Sequence, residues 1–159
     1  MPTSLEDLYR EHAAPVWRYV RSRLPGDVDA EDVTSDVFLR AHRSLDRFDP
    51  AQGTPRAWLV GIARHAVADW WRKRGREDPV EHLPEAVGAI DPTAARDDVD
   101  DVRRRLAVLS ARELEAVQLR FAAELPSAEV GAALGISAPA ARMLVHRAVQ
   151  KLREGVEHA

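Results

Sequence analysis

Ser127-Ala128-Glu129-Val130-Gly131-Ala132-Ala133-Leu134-Gly135-Ile136-Ser137 runs directly into APAARMLVHRAVQKLR (138–153), and together they read as two helices joined by a short turn. Gly135 can adopt the positive φ that stops the first helix without steric cost. Ile136 is placed to plug the core between the helices, and Ser137 to cap the second. Arg142, His146 and Arg147 follow at spacings of four and five, broadly on one face, with Lys151 a turn further. This is the form of a helix-turn-helix. Such a cationic face can meet the major groove of DNA, with arginine donating to guanine edges or phosphates. An ordinary helical hairpin with a solvated charged face fits the turn equally well, and the turn alone favours neither.

Working outward, the chain reads as helix almost throughout. Ser110 with Glu113 three residues on has capping-box spacing, and Leu114, Val117, Leu119 and Phe121 supply the apolar positions of that helix. A shorter helix is expected over 102–109. Before it, EDPVEHLPEAVGAIDPTAARDDVDD (77–101) has three prolines, nine acids and one base, and reads as a linker extended by self-repulsion. At the other end, Thr3 or Ser4 caps a first helix with an apolar stripe of Leu5, Leu8, His12, Val16, Val20 and Leu24. Pro15 is expected to kink or interrupt it, and Pro25-Gly26 ends it. A second helix is expected from Asp29, with Glu31 and Asp32 in its first turn and Val33, Val37, Phe38, Ala41 and Leu45 buried. After the loop 47–53, Thr54 caps a third helix with Pro55 at its first position. Trp58, Ile62, Ala66 and Trp70 form its stripe, and Arg72-Lys73-Arg74 its basic end. No alternating run of β-branched residues suggests a strand. The expectation is an all-α chain of two small helical domains, 1–76 and 102–159, joined by the acidic linker 77–101. Domains of this size are marginally stable alone, which favours docking on a larger partner.

Composition narrows the function. With 45% hydrophobic and 31% charged residues the chain should fold. It has no cysteine, which removes disulfides, thiol nucleophiles and thiolate zinc sites. The net charge of −3 is uneven: net +2 over 1–76, −8 over 77–101 and +3 over 102–159. Two mildly basic blocks therefore flank an acidic segment, and field arguments apply to each separately. The N-terminus, MPTSLEDLYREH, lacks a basic stretch followed by an apolar core, so a cytoplasmic protein without membrane insertion is expected. The six histidines are scattered, and neither a phosphate-binding glycine loop nor an elbow serine occurs. Neither catalysis, cofactor nor metal is expected.

The segment from Trp58 to Arg74 interleaves aromatic and basic groups: Trp58, Arg64, His65, Trp70, Trp71, Arg72, Lys73 and Arg74. Aromatics stack on unpaired bases while cations follow the phosphates, as single-strand capture requires. The alternative is that these tryptophans are core and the terminal basics complement the helix dipole. Trp58, on the stripe, favours the core; Trp71, one step off it, is the better functional aromatic.

Three segments in series carry a family resemblance: Ala30-Glu31-Asp32-Val33-Thr34-Ser35-Asp36-Val37-Phe38-Leu39-Arg40-Ala41, Trp58-Leu59-Val60-Gly61-Ile62-Ala63-Arg64, and Asp69-Trp70-Trp71-Arg72-Lys73-Arg74. Glu129-Val130, Leu134-Gly135-Ile136-Ser137 and His146-Arg147-Ala148-Val149-Gln150-Lys151-Leu152-Arg153 add a C-terminal part. In this order they resemble the extracytoplasmic-function sigma factors of the sigma-70 family. The resemblance implies a promoter-specificity subunit of RNA polymerase. Its N-terminal block would be region two, binding the β′ coiled coil through Asp36, Arg40 and Arg43. The same block would bind the −10 element through Arg56, Trp58, Arg64, His65, Trp71, Arg72, Lys73 and Arg74. Its C-terminal block would be region four, near the β flap, reading the −35 element through Arg120, Arg142, Met143, His146, Arg147 and Lys151. It also implies an anti-sigma partner, and nucleoid association when on polymerase. The chain departs from the family pattern at His65, usually asparagine. Glu124-Leu125-Pro126 stands where Gly-Leu-Ser is usual, with Pro126 expected at a first helical position. Ala140-Ala141 replaces Thr-Val, and Met143 replaces a small polar residue.

Overall fold

The computed structural model describes residues 4–75 and 106–157, all helix, turn or loop. The acidic linker expected over 77–101, and the first part of the helix expected over 102–109, lie outside them. Helix α1 spans Leu5–Arg23 and is capped by Ser4, whose hydroxyl accepts from the Asp7 amide. Pro15 lies inside α1, buried, and the helix continues through it. The expected interruption does not occur: Pro15 is buried, as are Leu8, Val16, Tyr19 and Val20 of the same helix, and burial of this face outweighs one lost backbone hydrogen bond.

Helix α2 spans Asp27–Arg43, two residues earlier than the sequence suggested. Gly26 serves as the N-cap, so the helix starts directly after the Pro25-Gly26 turn, with Asp27 and Asp29 in its first turn. Arg21 of α1 ion-pairs with Asp27 there. Two 3₁₀ turns, Leu45–Arg47 and Pro50–Gln52, lead to α3, Pro55–Lys73. Thr54 caps α3 by accepting from the Ala57 amide, with Pro55 in the first turn. These three helices bury Val16, Tyr19, Val20, Val37, Phe38, Leu59, Val60 and Val67 between them.

In the C-terminal unit, α4 is Ala111–Val117, opened by a full capping box between Ser110 and Glu113. It continues as a π-helical segment, Gln118–Ala122. Helix α5, Ser127–Leu134, and helix α6, Ala138–Glu157, follow. They meet at 99°, within the helix-turn-helix range. Gly135 sits at φ 72° as expected. Gly131 is equally required: a Cβ there would lie 2.7 Å from the Ile136 carbonyl oxygen, so only glycine lets the turn fold back this closely. Ser137 caps α6, accepting from the Ala140 amide at 3.1 Å. Pro126 is the residue before α5, not its first residue, and α5 has no side-chain cap.

The two units share one hydrophobic core. Ala116, Leu119, Ala123, Leu125 and Val130 join the α1–α3 cluster, while Leu106, Leu109, Leu114 and Ala148 form a smaller one. Among the described residues no single helix is long and apolar enough to cross a membrane.

Glu113 ties α4 to α6, accepting from Lys151 Nζ at 2.8 Å and from the Ser110 amide at 2.8 Å. Burial alone raises its pKa, but the hydrogen bonds from Lys151 and Ser110 and the Lys151 charge outweigh this and hold it below the usual glutamate value. The stabilisation is therefore present above the unfolded-state pKa and lost as pH falls through the lower folded value. Thermal melts of wild type and Glu113→Gln should differ at neutral pH and converge as pH drops below about 4. A difference undiminished in acid would show that the carboxylate charge contributes nothing.

Candidate nucleic-acid interface

Three surfaces carry the predicted binding residues. The first is the outer side of α2, where Asp36, Arg40 and Arg43 recur at i, i+4 and i+7. Arg40 Nε donates to Asp36 at 2.9 Å, and its Nη1 reaches Asp69 of α3 at 3.1 Å. Asp69 also pairs with Arg72 at 3.0 Å. Burial raises the Asp69 pKa, but Arg40, Arg72 and Lys73 together bring it below the ordinary value. Arg40 thus clamps α2 to α3, while Arg43 is exposed on the same face. Tyr9 and Leu39, both about half exposed, lie nearby, with the Tyr9 ring edge-on to Phe38.

The second surface is the start and outer side of α3. Trp58 is partly buried and packs at 5.2 Å on Phe48. The two rings, with Arg47, Asp49, Thr54 and Arg64, line a cavity of about 350 Å³ to which the C-terminal unit contributes Leu125, Glu129 and Ala133. Arg64 is fully engaged across this boundary. Its Nε and Nη2 donate to Glu115 Oε1 at 3.0 and 2.7 Å, and its Nη1 to the Ala133 carbonyl at 2.7 Å. Arg56 donates from Nε to His12 Nδ1 at 3.2 Å and from Nη1 to Glu124 at 3.4 Å. Burial of His12, and then the Arg56 charge, depress its pKa against the opposing pull of Glu11. A neutral ring is what that hydrogen bond needs, because only an unprotonated Nδ1 can accept. His65, Arg72, Lys73 and Arg74 are exposed on or just past α3, and Arg74 lies 3.9 Å over the Trp70 ring.

Trp71 does not belong to this surface. It is 2% exposed, and its indole N–H donates to the Arg23 carbonyl at 3.1 Å. The expectation that it was the functional aromatic is corrected: the fully buried track of α3 is Leu59, Val60, Ala63, Ala66, Val67 and Trp71. Trp58, Ile62 and Trp70 form a second, partly buried track beside it.

The third surface is α6 and the end of the π-helical segment. Arg120, Phe121, Arg142, Met143, His146, Gln150 and Arg153 line an open cleft of about 670 Å³. Arg147 is exposed but outside it. Lys151 is also exposed outside it, with its Nζ 2.8 Å from the buried Glu113 carboxylate. The cleft also holds Phe121, Gln150 and Arg153, which the sequence reading did not assign to it. Gln150 and Arg153 follow Arg142 and His146 at helical spacing, so a 3.6-residue count places these four on one face, with Arg147 and Lys151 beside it. The sequence reading missed Glu115, Glu124 and Glu129, whose partners lie in the other unit.

The sigma-70 region 2 model matches residues 8–77 and the sigma-70 region 4 model residues 105–154. The chain is 35% identical to the ECF RNA polymerase sigma factor BldN of Streptomyces coelicolor, over 91% of this chain and 57% of that protein. It is 36% identical to the ECF RNA polymerase sigma factor SigD of Mycobacterium tuberculosis, over 89% of this chain and 71% of that one. It thus spans under two thirds of BldN's length. Among solved structures, CnrH in complex with the cytosolic domain of CnrY matches with a TM-score of 0.69 at 26% identity, covering 97% of this chain and 88% of CnrH. The helix-turn-helix, the three-helix N-terminal unit and these matches agree, and the chain belongs to the extracytoplasmic-function RNA polymerase sigma factors of the sigma-70 family.

Proposed function

We propose that this protein directs promoter-specific initiation by binding core RNA polymerase and both promoter elements, without catalysing a reaction itself. Residues 1–76 would bind the β′ coiled coil and the −10 element, and residues 102–159 the β flap and the −35 element. Strand opening would draw on the binding free energy of the unpaired strand. The observation that carries this reading is the cationic cleft of Arg120, Arg142, His146 and Arg153 on the second helix of the helix-turn-helix. The exposed basic end of α3, Arg72-Lys73-Arg74, supports the −10 assignment. CnrH was solved with a protein bound, which supports a regulatory protein partner here, of the anti-sigma kind. A cytoplasmic location follows from the same reading.

Transcription from a genomic fragment library with core polymerase tests it. Output should need the protein and start at discrete sites. Random starts, or output unchanged without the protein, would refute the proposal. Arg43→Glu should weaken core polymerase binding with an unchanged melting temperature, because Arg43 is exposed. Arg40→Glu should lower both, because Arg40 also bridges Asp36 and Asp69. Arg43→Glu with wild-type affinity would remove α2 from the polymerase interface.

A further inference from the structure

Glu124 is the one non-glycine residue with positive φ among the described residues, at 58°. A side chain in the left-handed region is strained, whereas glycine adopts it readily. Such strain persists where surrounding contacts over-determine it. Here the contacts are visible. One carboxylate oxygen of Glu124 accepts from Arg18 Nη2 at 2.8 Å and the other from Arg56 Nη1 at 3.4 Å. Both arginines belong to the N-terminal unit, and Glu124 stands in the connector leading to α5 of the C-terminal unit.

Its neighbours repeat the pattern. Glu129 accepts from the Thr54 hydroxyl at 2.6 Å, and Glu115 takes two donors of Arg64. Behind them the buried Gln118 amide donates to the Ser22 carbonyl at 2.9 Å. Three carboxylates of one unit thus occupy cationic and hydroxyl donors of the other, and Leu125 and Ala133 of that unit line the same cavity as Phe48 and Trp58. Guanidinium groups bind carboxylates and phosphates with the same donor geometry. A DNA strand and these glutamates therefore compete for Arg56 and Arg64.

We propose that Glu124 is a latch that holds region four closed over the −10-reading face of region two, so that single-stranded DNA binds this face only after the units separate. The closure stands on the interunit contacts; the identity of the competing ligand rests on the function proposed above.

The natural absence of cysteine permits a direct test. Dyes on Ala14→Cys and Ala128→Cys, both exposed sites, report the distance between units in the full chain. Random-sequence single-stranded DNA oligonucleotides serve as the binding probe. Glu124→Gly relieves the backbone strain as it removes the latch, so it should fold at least as well as wild type. Arg18→Ala removes the partner from outside the DNA-reading residues. Each should lower energy transfer and raise affinity for the oligonucleotides by about fivefold, the scale of a partly exposed ion pair. Unchanged transfer and unchanged affinity in both variants would overturn the latch. Lowered transfer with no oligonucleotide bound by any form, wild type included, would support the latch and overturn the −10 assignment instead.

Discussion

Trp71→Ala should destabilise the N-terminal unit by about 3–5 kcal/mol, the range for truncating a fully buried large aromatic. Trp71 is the largest of the fully buried side chains, and it bridges α3 to the end of α1 through its hydrogen bond to Arg23. Removing it leaves a cavity and takes one donor from the Arg23 carbonyl in the same place. Trp70→Ala should cost far less, since Trp70 is only partly buried and packs on the edge of Trp71 and under Arg74. Trp71→Phe should fall between, keeping most of the packing and losing the N–H donor. Denaturant titration followed by circular dichroism separates the three. A Trp71→Ala protein as stable as wild type but unable to bind single-stranded DNA would return Trp71 to the nucleic-acid face.

The misreading of Trp71 has a physical origin. Helix α3 packs against α1 and α2 on one side and meets the C-terminal unit along its first half, as far as Arg64, so both of its apolar tracks are at least partly covered. Periodicity identifies a stripe but cannot say which of two adjacent stripes is deeper. Local chemistry was far more legible. Ser4, Thr54, Ser137 and the Ser110–Glu113 capping box all cap as their spacing suggests, because each bond closes within three residues. Gly135 terminates α5 for the same local reason. The contacts that sequence reading missed join residues far apart in the chain. Glu115 meets Arg64, Glu124 meets Arg18, and Lys151 meets Glu113. A charged residue on a recognition helix carries no mark in the sequence of whether its partner is a phosphate or a glutamate 38 residues away.

That distinction gives opposite expectations for two cations on α6. Arg142 is exposed in the cleft, whereas Lys151 completes a bond to a carboxylate whose side chain is 7% exposed. Under the proposed −35 role, Arg142→Ala should lower duplex promoter affinity by about 1–3 kcal/mol, the value of one good base contact. If Arg142 touches a base, preference at one −35 position should relax. If it touches a phosphate, all −35 variants should weaken alike and the salt dependence of binding should fall by about one counterion. Met143, standing where a small polar residue is usual, favours the phosphate outcome, because a thioether offers only a weak acceptor to a base edge. Promoter choice should then lean on the −10 element, with scrambling of that element abolishing output and single −35 changes reducing it only a few-fold. Lys151→Ala should behave differently: the salt dependence stays as in wild type, while stability falls by roughly 1–2 kcal/mol because a buried carboxylate loses its cation. Lys151→Ala with full stability and a reduced salt dependence would place Lys151 on the DNA, and would mean that its bond to Glu113 opens when the duplex binds.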